Sequence, residues 1–143
     1  MSAHTFSGAP LEALAAVVAA EPGIDLIAGQ RNSVLAVPEA ARSAVVAALL
    51  HANPRRPVIV AVPTGTVAQE VADDLSAFLG SDNVDLFPAW ETLPFERVSP
   101  AVYTMGERMR TMWRLRTEGE QPTVVVAGTR ALLQKLAPGS TTV

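Results

Sequence analysis

Residues 36–43 read AVPEAARS and stand after a short apolar run and before a helical stretch, where a nucleotide-binding chain often holds its phosphates. A phosphate loop of the form G-x-x-x-x-G-K-[ST] works for stated reasons. Its glycines let backbone N–H groups turn toward the anion, its lysine reaches the outer phosphates, and its hydroxyl holds magnesium. On that spacing Ala36 and Ala41 stand in place of the glycines, Arg42 in place of the lysine, and Ser43 keeps the hydroxyl. Three features oppose binding. A Cβ is costly where the loop needs positive φ or close backbone approach. Pro38 removes an N–H donor. Glu39 brings negative charge to a helix start that otherwise favours anions. The expectation is an ordinary strand-to-helix turn with Pro38 opening the helix, a vestigial phosphate loop.

The other chemistry-bearing residues give less. Nucleotide hydrolysis also needs an acidic pair at the end of an apolar strand, to hold magnesium and activate water. No apolar run here ends in Asp-Glu, and Asp73 and Asp74 fall inside a helical stretch, where they read as a solvated face. There is no cysteine, so thiolate nucleophiles, disulfides and cysteine metal sites are excluded. His4 and His51 lie far apart, which argues against a metal centre. No catalytic residue is assigned. The net charge of −3 gives no bulk electrostatic grip on nucleic acid. Arg108, Arg110, Arg114 and Arg116 read as a solvated helix face flanked by Glu107 and Glu118. Phe87, Trp90 and Phe95 could stack bases, but their spacing along a proline-rich loop suits pinning that loop to the fold.

These residues must be positioned by regular elements. Residues 10–20 predict a first helix closed by EPG at 21–23, and residues 24–29 are ambiguous. Residues 34–37 predict a buried strand and residues 39–52 a helix. The β-branched run PVIVAVP (57–63) predicts a strand buried on both faces. In the helix that follows, Thr66 and Gln69 have capping-box spacing. Val67, Val71, Leu75, Phe78 and Leu79 share one of its faces, and Gly80 ends it. NVDLF (83–87) predicts a strand, 88–100 an irregular segment, and 101–117 a helix burying Met105, Met109, Met112 and Trp113. TVVVAG (123–128) predicts a last strand, with Thr129 capping a final helix.

Strands alternating with helices imply an α/β fold: an open, mainly parallel sheet of about four strands with helices on both faces. At 143 residues the chain has room for one core. The N-terminus lacks a basic start and carries Glu12, which argues against a signal peptide, and Pro38, Glu39 and Arg42 break the run at 33–50 that could otherwise span a membrane. A cytoplasmic location without a membrane partner is expected. No G-x-G-x-x-G follows a strand, which sets aside a dinucleotide fold. A free-standing P-loop-like nucleotide-binding domain using Arg42 and Ser43 stays open beside a non-catalytic interaction segment.

Longer stretches carry a resemblance. LFPAWETLPFERVSP (86–100), MGERMRTMWRL (105–115) and VVVAGTRALLQKLAP (124–138) resemble the N-terminal region of bacterial transcription-repair coupling factors, the Mfd family, over about residues 33–138. In that family this region resembles the first, helicase-type motor domain of the excision-repair protein UvrB, with its nucleotide site lost. The resemblance implies residues 1–32 as a lead-in, 33–138 as the first half of that degenerate P-loop domain, and 139–143 as a tail. It implies no cofactor for this segment, but ATP and magnesium for the full-length protein. That protein is implied to translocate on double-stranded DNA, displace stalled RNA polymerase and recruit UvrA for nucleotide excision repair. The implied partners of this segment are the rest of its own UvrB-like module and the protein's other domains. Half a domain would expose a sheet edge or an apolar face, and self-association would cover it.

Overall fold

The computed structural model describes residues 10–52, 57–90 and 102–134. Phe95, His4, most of the proline-rich segment at 88–100 and the tail at 139–143 lie outside the described residues.

Helix α1 (Glu12–Ala19) is held by Ala15, fully buried, and by the Leu11 N–H, which donates to the Ala77 carbonyl at 2.9 Å. The EPG that was expected only to end this helix also starts another. Pro22 occupies the first turn of α2 (Pro22–Ala28), where its missing N–H has no intrahelical partner to lose. Helix α3 (Arg42–Ala52) follows a single 3-10 turn at Glu39–Ala41.

Among the described residues three strands form the sheet: β1 (Val58–Val62), β2 (Val84–Phe87) and β3 (Val124–Gly128). Their order is β1-β3-β2, and both pairings are parallel, with Val124 level with Val58 on one side and Val84 on the other. The parallel α/β architecture matches the expectation, but the strand at 34–37 does not form. Residues 33–38 have no regular structure, Val34 is fully exposed and Leu35 is 44% exposed. A strand exists by its ladder, and VLAV has no neighbour to bond among the described residues.

Helices cover both faces. On one face, α4 (Gly65–Leu79) places Ala68, Ala72, Leu75, Phe78 and Leu79 against Val84, Val124 and Val126, with α3 and α1 packed behind. On the other, α5 (Val102–Arg116) and α6 (Thr129–Leu133) bring Met112, Leu115 and Ala131 to Phe87, Val125 and Ala127. Central β3 is buried along its whole length. The exposed face of β1 departs from the two-sided burial expected of it: Ile59 is 61% exposed.

Two helix starts also differ from expectation. The N-cap of α4 is Thr64, whose Oγ1 accepts from the Val67 N–H at 3.2 Å; Thr66 lies inside the helix. Thr64→Ala is expected to cost about 1 kcal/mol in chemical denaturation, and Thr66→Ala well under half of that. Thr129 is likewise the first residue of α6, and its hydroxyl donates to the Val62 carbonyl at 3.0 Å, joining the ends of β1 and β3. Among the described residues no helix is long and apolar enough to cross a membrane.

Candidate functional site

In residues 36–43 the phosphate-loop positions are spread apart. Pro38, at φ −54° and ψ 143°, precedes the 3-10 turn, which is closed by the Ala41 N–H donating to the Pro38 carbonyl at 2.9 Å. Ala36 is exposed. The Arg42 guanidinium lies 3.6 Å from the Glu39 carboxylate, with both side chains largely in solvent. Ser43 turns the other way. It is buried, and its hydroxyl donates to Asp74 Oδ2 at 2.9 Å, joining α3 to α4 across 31 residues of sequence. Asp74 is therefore more than part of a solvated face, whereas Asp73 accepts from Gln69 at 3.0 Å on the exposed side of α4. The hydroxyl that would hold magnesium is engaged in helix packing, and the cation beside it pairs with its own turn.

A second candidate is a crevice of about 380 Å³ at the carboxyl ends of the strands, where open α/β sheets usually bind ligands. Gly65 and Gln69 of α4, Phe87 and Trp90 at the end of β2, Glu107 of α5 and Arg130 of α6 line it. Tyr103 is also on its wall, and its phenol is pushed above the ordinary range by a hydrogen bond to Glu107, then by that carboxylate's charge. The crevice depends on close backbone approach at Gly128, where a Cβ would meet the Thr64 carbonyl carbon at 3.0 Å and the Gly65 nitrogen at 3.1 Å. Gly128→Ala is expected to cost about 1–2 kcal/mol, read as a lower urea midpoint, because backbone rather than a flexible side chain must yield.

Beneath the crevice is a group that the sequence pattern misassigned. Arg108 is buried, donates to the Pro88 carbonyl at 2.6 Å, and lies 4.1 Å from the centroid of the Phe87 ring and 4.7 Å from that of Trp90. Burial lowers its pKa, but a guanidinium stays cationic at neutral pH. Trp90 is pinned further by Gln134, which accepts from its N–H at 2.7 Å and donates to its carbonyl at 3.2 Å. Phe87 and Trp90 thus anchor the start of the irregular segment. Arg114 also leaves the expected solvated face: it donates to Asp85 Oδ1 at 2.5 Å and to the carbonyls of Asp82 and Glu120. The available signal was Asp85 itself, since a carboxylate within an apolar strand must find a partner. Among the described residues no cluster of His, Asp and Glu could hold a metal ion.

No family model matches the chain. It is 39% identical over 109 residues to the transcription-repair-coupling factor of Mycobacterium bovis, which covers 73% of this chain. It is 34% identical over 120 residues, or 80% of its length, to the protein of the same name from Myxococcus xanthus. The chain belongs to the transcription-repair-coupling factor family. The Rickettsia bellii transcription-repair-coupling factor matches at 27% identity over 101 residues. The chain spans only 8% to 10% of the length of these curated relatives. Transcription-coupled DNA repair is the process that the family's name states.

Proposed function

We propose that this chain is a non-catalytic N-terminal segment of a transcription-repair-coupling factor, forming the first half of its UvrB-like module. In this reading it is a cytoplasmic scaffold whose partners are the rest of that module and the protein's other domains. It uses no cofactor of its own. ATP and magnesium serve the motor elsewhere in the full-length protein, which translocates on DNA, displaces stalled RNA polymerase and recruits UvrA. The family membership and the small share of the relatives' length that the chain covers support this reading.

The observation that carries it is the Ser43–Asp74 hydrogen bond, supported by Pro38 and by the alanines at both glycine positions. Binding Mg-ATP in the phosphate-loop mode would require Ser43 to leave its part-buried bond to Asp74 and Arg42 to leave Glu39. A thermal melt with and without Mg-ATP tests this directly. A ligand present at a hundred times its dissociation constant stabilises a fold by about 2.7 kcal/mol, a shift of several degrees for a domain of this size. The expected result is no shift. A shift that Arg42→Ala abolishes would overturn the non-catalytic reading and establish a nucleotide site at 36–43.

A further inference from the structure

Among the described residues, the molecule holds two unsatisfied halves of one β-ladder. The first is the edge of β1 away from β3, which no described strand covers. The Val58 N–H donates to the Thr123 carbonyl at 3.1 Å, and in a parallel ladder alternate residues aim both backbone groups at the same neighbour. Val58, Val60 and Val62 therefore bond β3, leaving the N–H and C=O groups of Ile59 and Ala61 on the open edge. VIVAV carries no charge, proline or bulge of the kind that guards exposed edges. On α5, which packs on the same face of the sheet, Met105, Met109 and Trp113 stand exposed at successive four-residue steps. Met109 is 66% exposed and Trp113 57%.

The second half is Val34–Leu35–Ala36–Val37, strand-like in composition and without a ladder partner among the described residues. We propose that two copies of this chain exchange these segments, residues 34–37 of each adding antiparallel to β1 of the other in a closed two-fold dimer. Charge selects the orientation. Antiparallel pairing sets Glu39, which follows the segment, at the end of β1 that Arg55 and Arg56 precede in sequence, whereas parallel pairing would set Arg31 at that end. The register with Val37 opposite Ile59 and Leu35 opposite Ala61 meets both free pairs of backbone groups. It also leaves Pro38 at a position that needs no N–H. Leu35 and Val37 then share a face with Ile59. In the two-fold arrangement each copy's strand takes the other copy's edge, which leaves no strand–edge pair open for further growth.

Sedimentation velocity over a broad concentration series tests the exchange, with Leu35→Pro removing the strand and Ala61→Pro removing a donor that faces only the open edge. The wild-type chain is expected to pass from its 15.0 kDa monomer to twice that mass, and each variant alone to stay monomeric. An equimolar mixture of the two is expected to regain dimer through its one intact strand–edge pair. A wild-type chain that is monomeric throughout overturns the proposal, as does a Leu35→Pro chain that still dimerises. Residues 33–38 carry no regular structure, so that variant decides the matter even where Ala61→Pro fails to fold. A folded pair of variants whose mixture stays monomeric also rules out the exchange.

Discussion

Asp85→Ala is expected to destabilise the fold by about 3–5 kcal/mol, the usual cost of removing one partner of a buried ion pair. The Asp85 and Arg114 side chains are 3% and 11% exposed, and Arg114 also donates to two carbonyls, those of Asp82 at 2.6 Å and Glu120 at 3.0 Å. Removing the carboxylate leaves a guanidinium in the same enclosed position with only backbone dipoles to face. The pair is not itself an optimal source of stability, because Asp85 Oδ2 is buried without a hydrogen-bond partner among the described residues. Asp85→Leu combined with Arg114→Met is therefore expected to recover most of the loss, since it removes both desolvated charges together. Urea unfolding of the two single variants and the double variant gives the coupling energy. Additive losses would mean that the pair contributes nothing beyond its separate packing.

The second large effect is expected at Arg108. Arg108→Ala removes a charged hydrogen bond to the Pro88 carbonyl, contacts with two aromatic faces and the packed stem of a long side chain. Together these amount to about 2–4 kcal/mol. The same substitution at Met109 is expected to change stability by less than about 0.5 kcal/mol, because that side chain stands in solvent. Trp90, stacked on Arg108, reports locally: its fluorescence is expected to change in the folded Arg108→Ala protein, before any unfolding. An arginine on a solvated face would give neither effect.

Helix α5 shows why these two sites were hard to read. Its length and boundaries follow from residues 101–117, but ranking side chains by hydrophobicity buries Met105, Met109 and Trp113 and exposes the arginines. The structure buries Thr104, Arg108 and Thr111 instead. What decides the orientation is remote in sequence: Asp85 and Phe87 on β2 and Trp90 just beyond it recruit Arg114 and Arg108 from the helix packed on their face of the sheet. By contrast, β1 and β3 were legible because continuous β-branched runs leave few alternatives, and α4 because its apolar spacing and Gly80 agree. The run at 34–37 has the same local character as β1 but no ladder among the described residues, and pairing is a property of two segments that neither one encodes alone. At the loop, the missing glycines and lysine were visible in AVPEAARS. The partner of Ser43 was not, since Asp74 enters only through the packing of α3 on α4.

The order β1-β3-β2 also constrains the chain as it leaves the ribosome. Of the three described strands the middle one is the last to be made: β1 and β2 have no bonds to each other and wait for residues 124–128 to slot between them. Until then a nascent chain can form helices and collapse around α4, but neither of these two ladders. Two apolar strands remain open to whatever chaperone or neighbouring chain is near. Val124–Gly128 supplies the backbone partners of both ladders, so a polypeptide cut short before it can form neither of them.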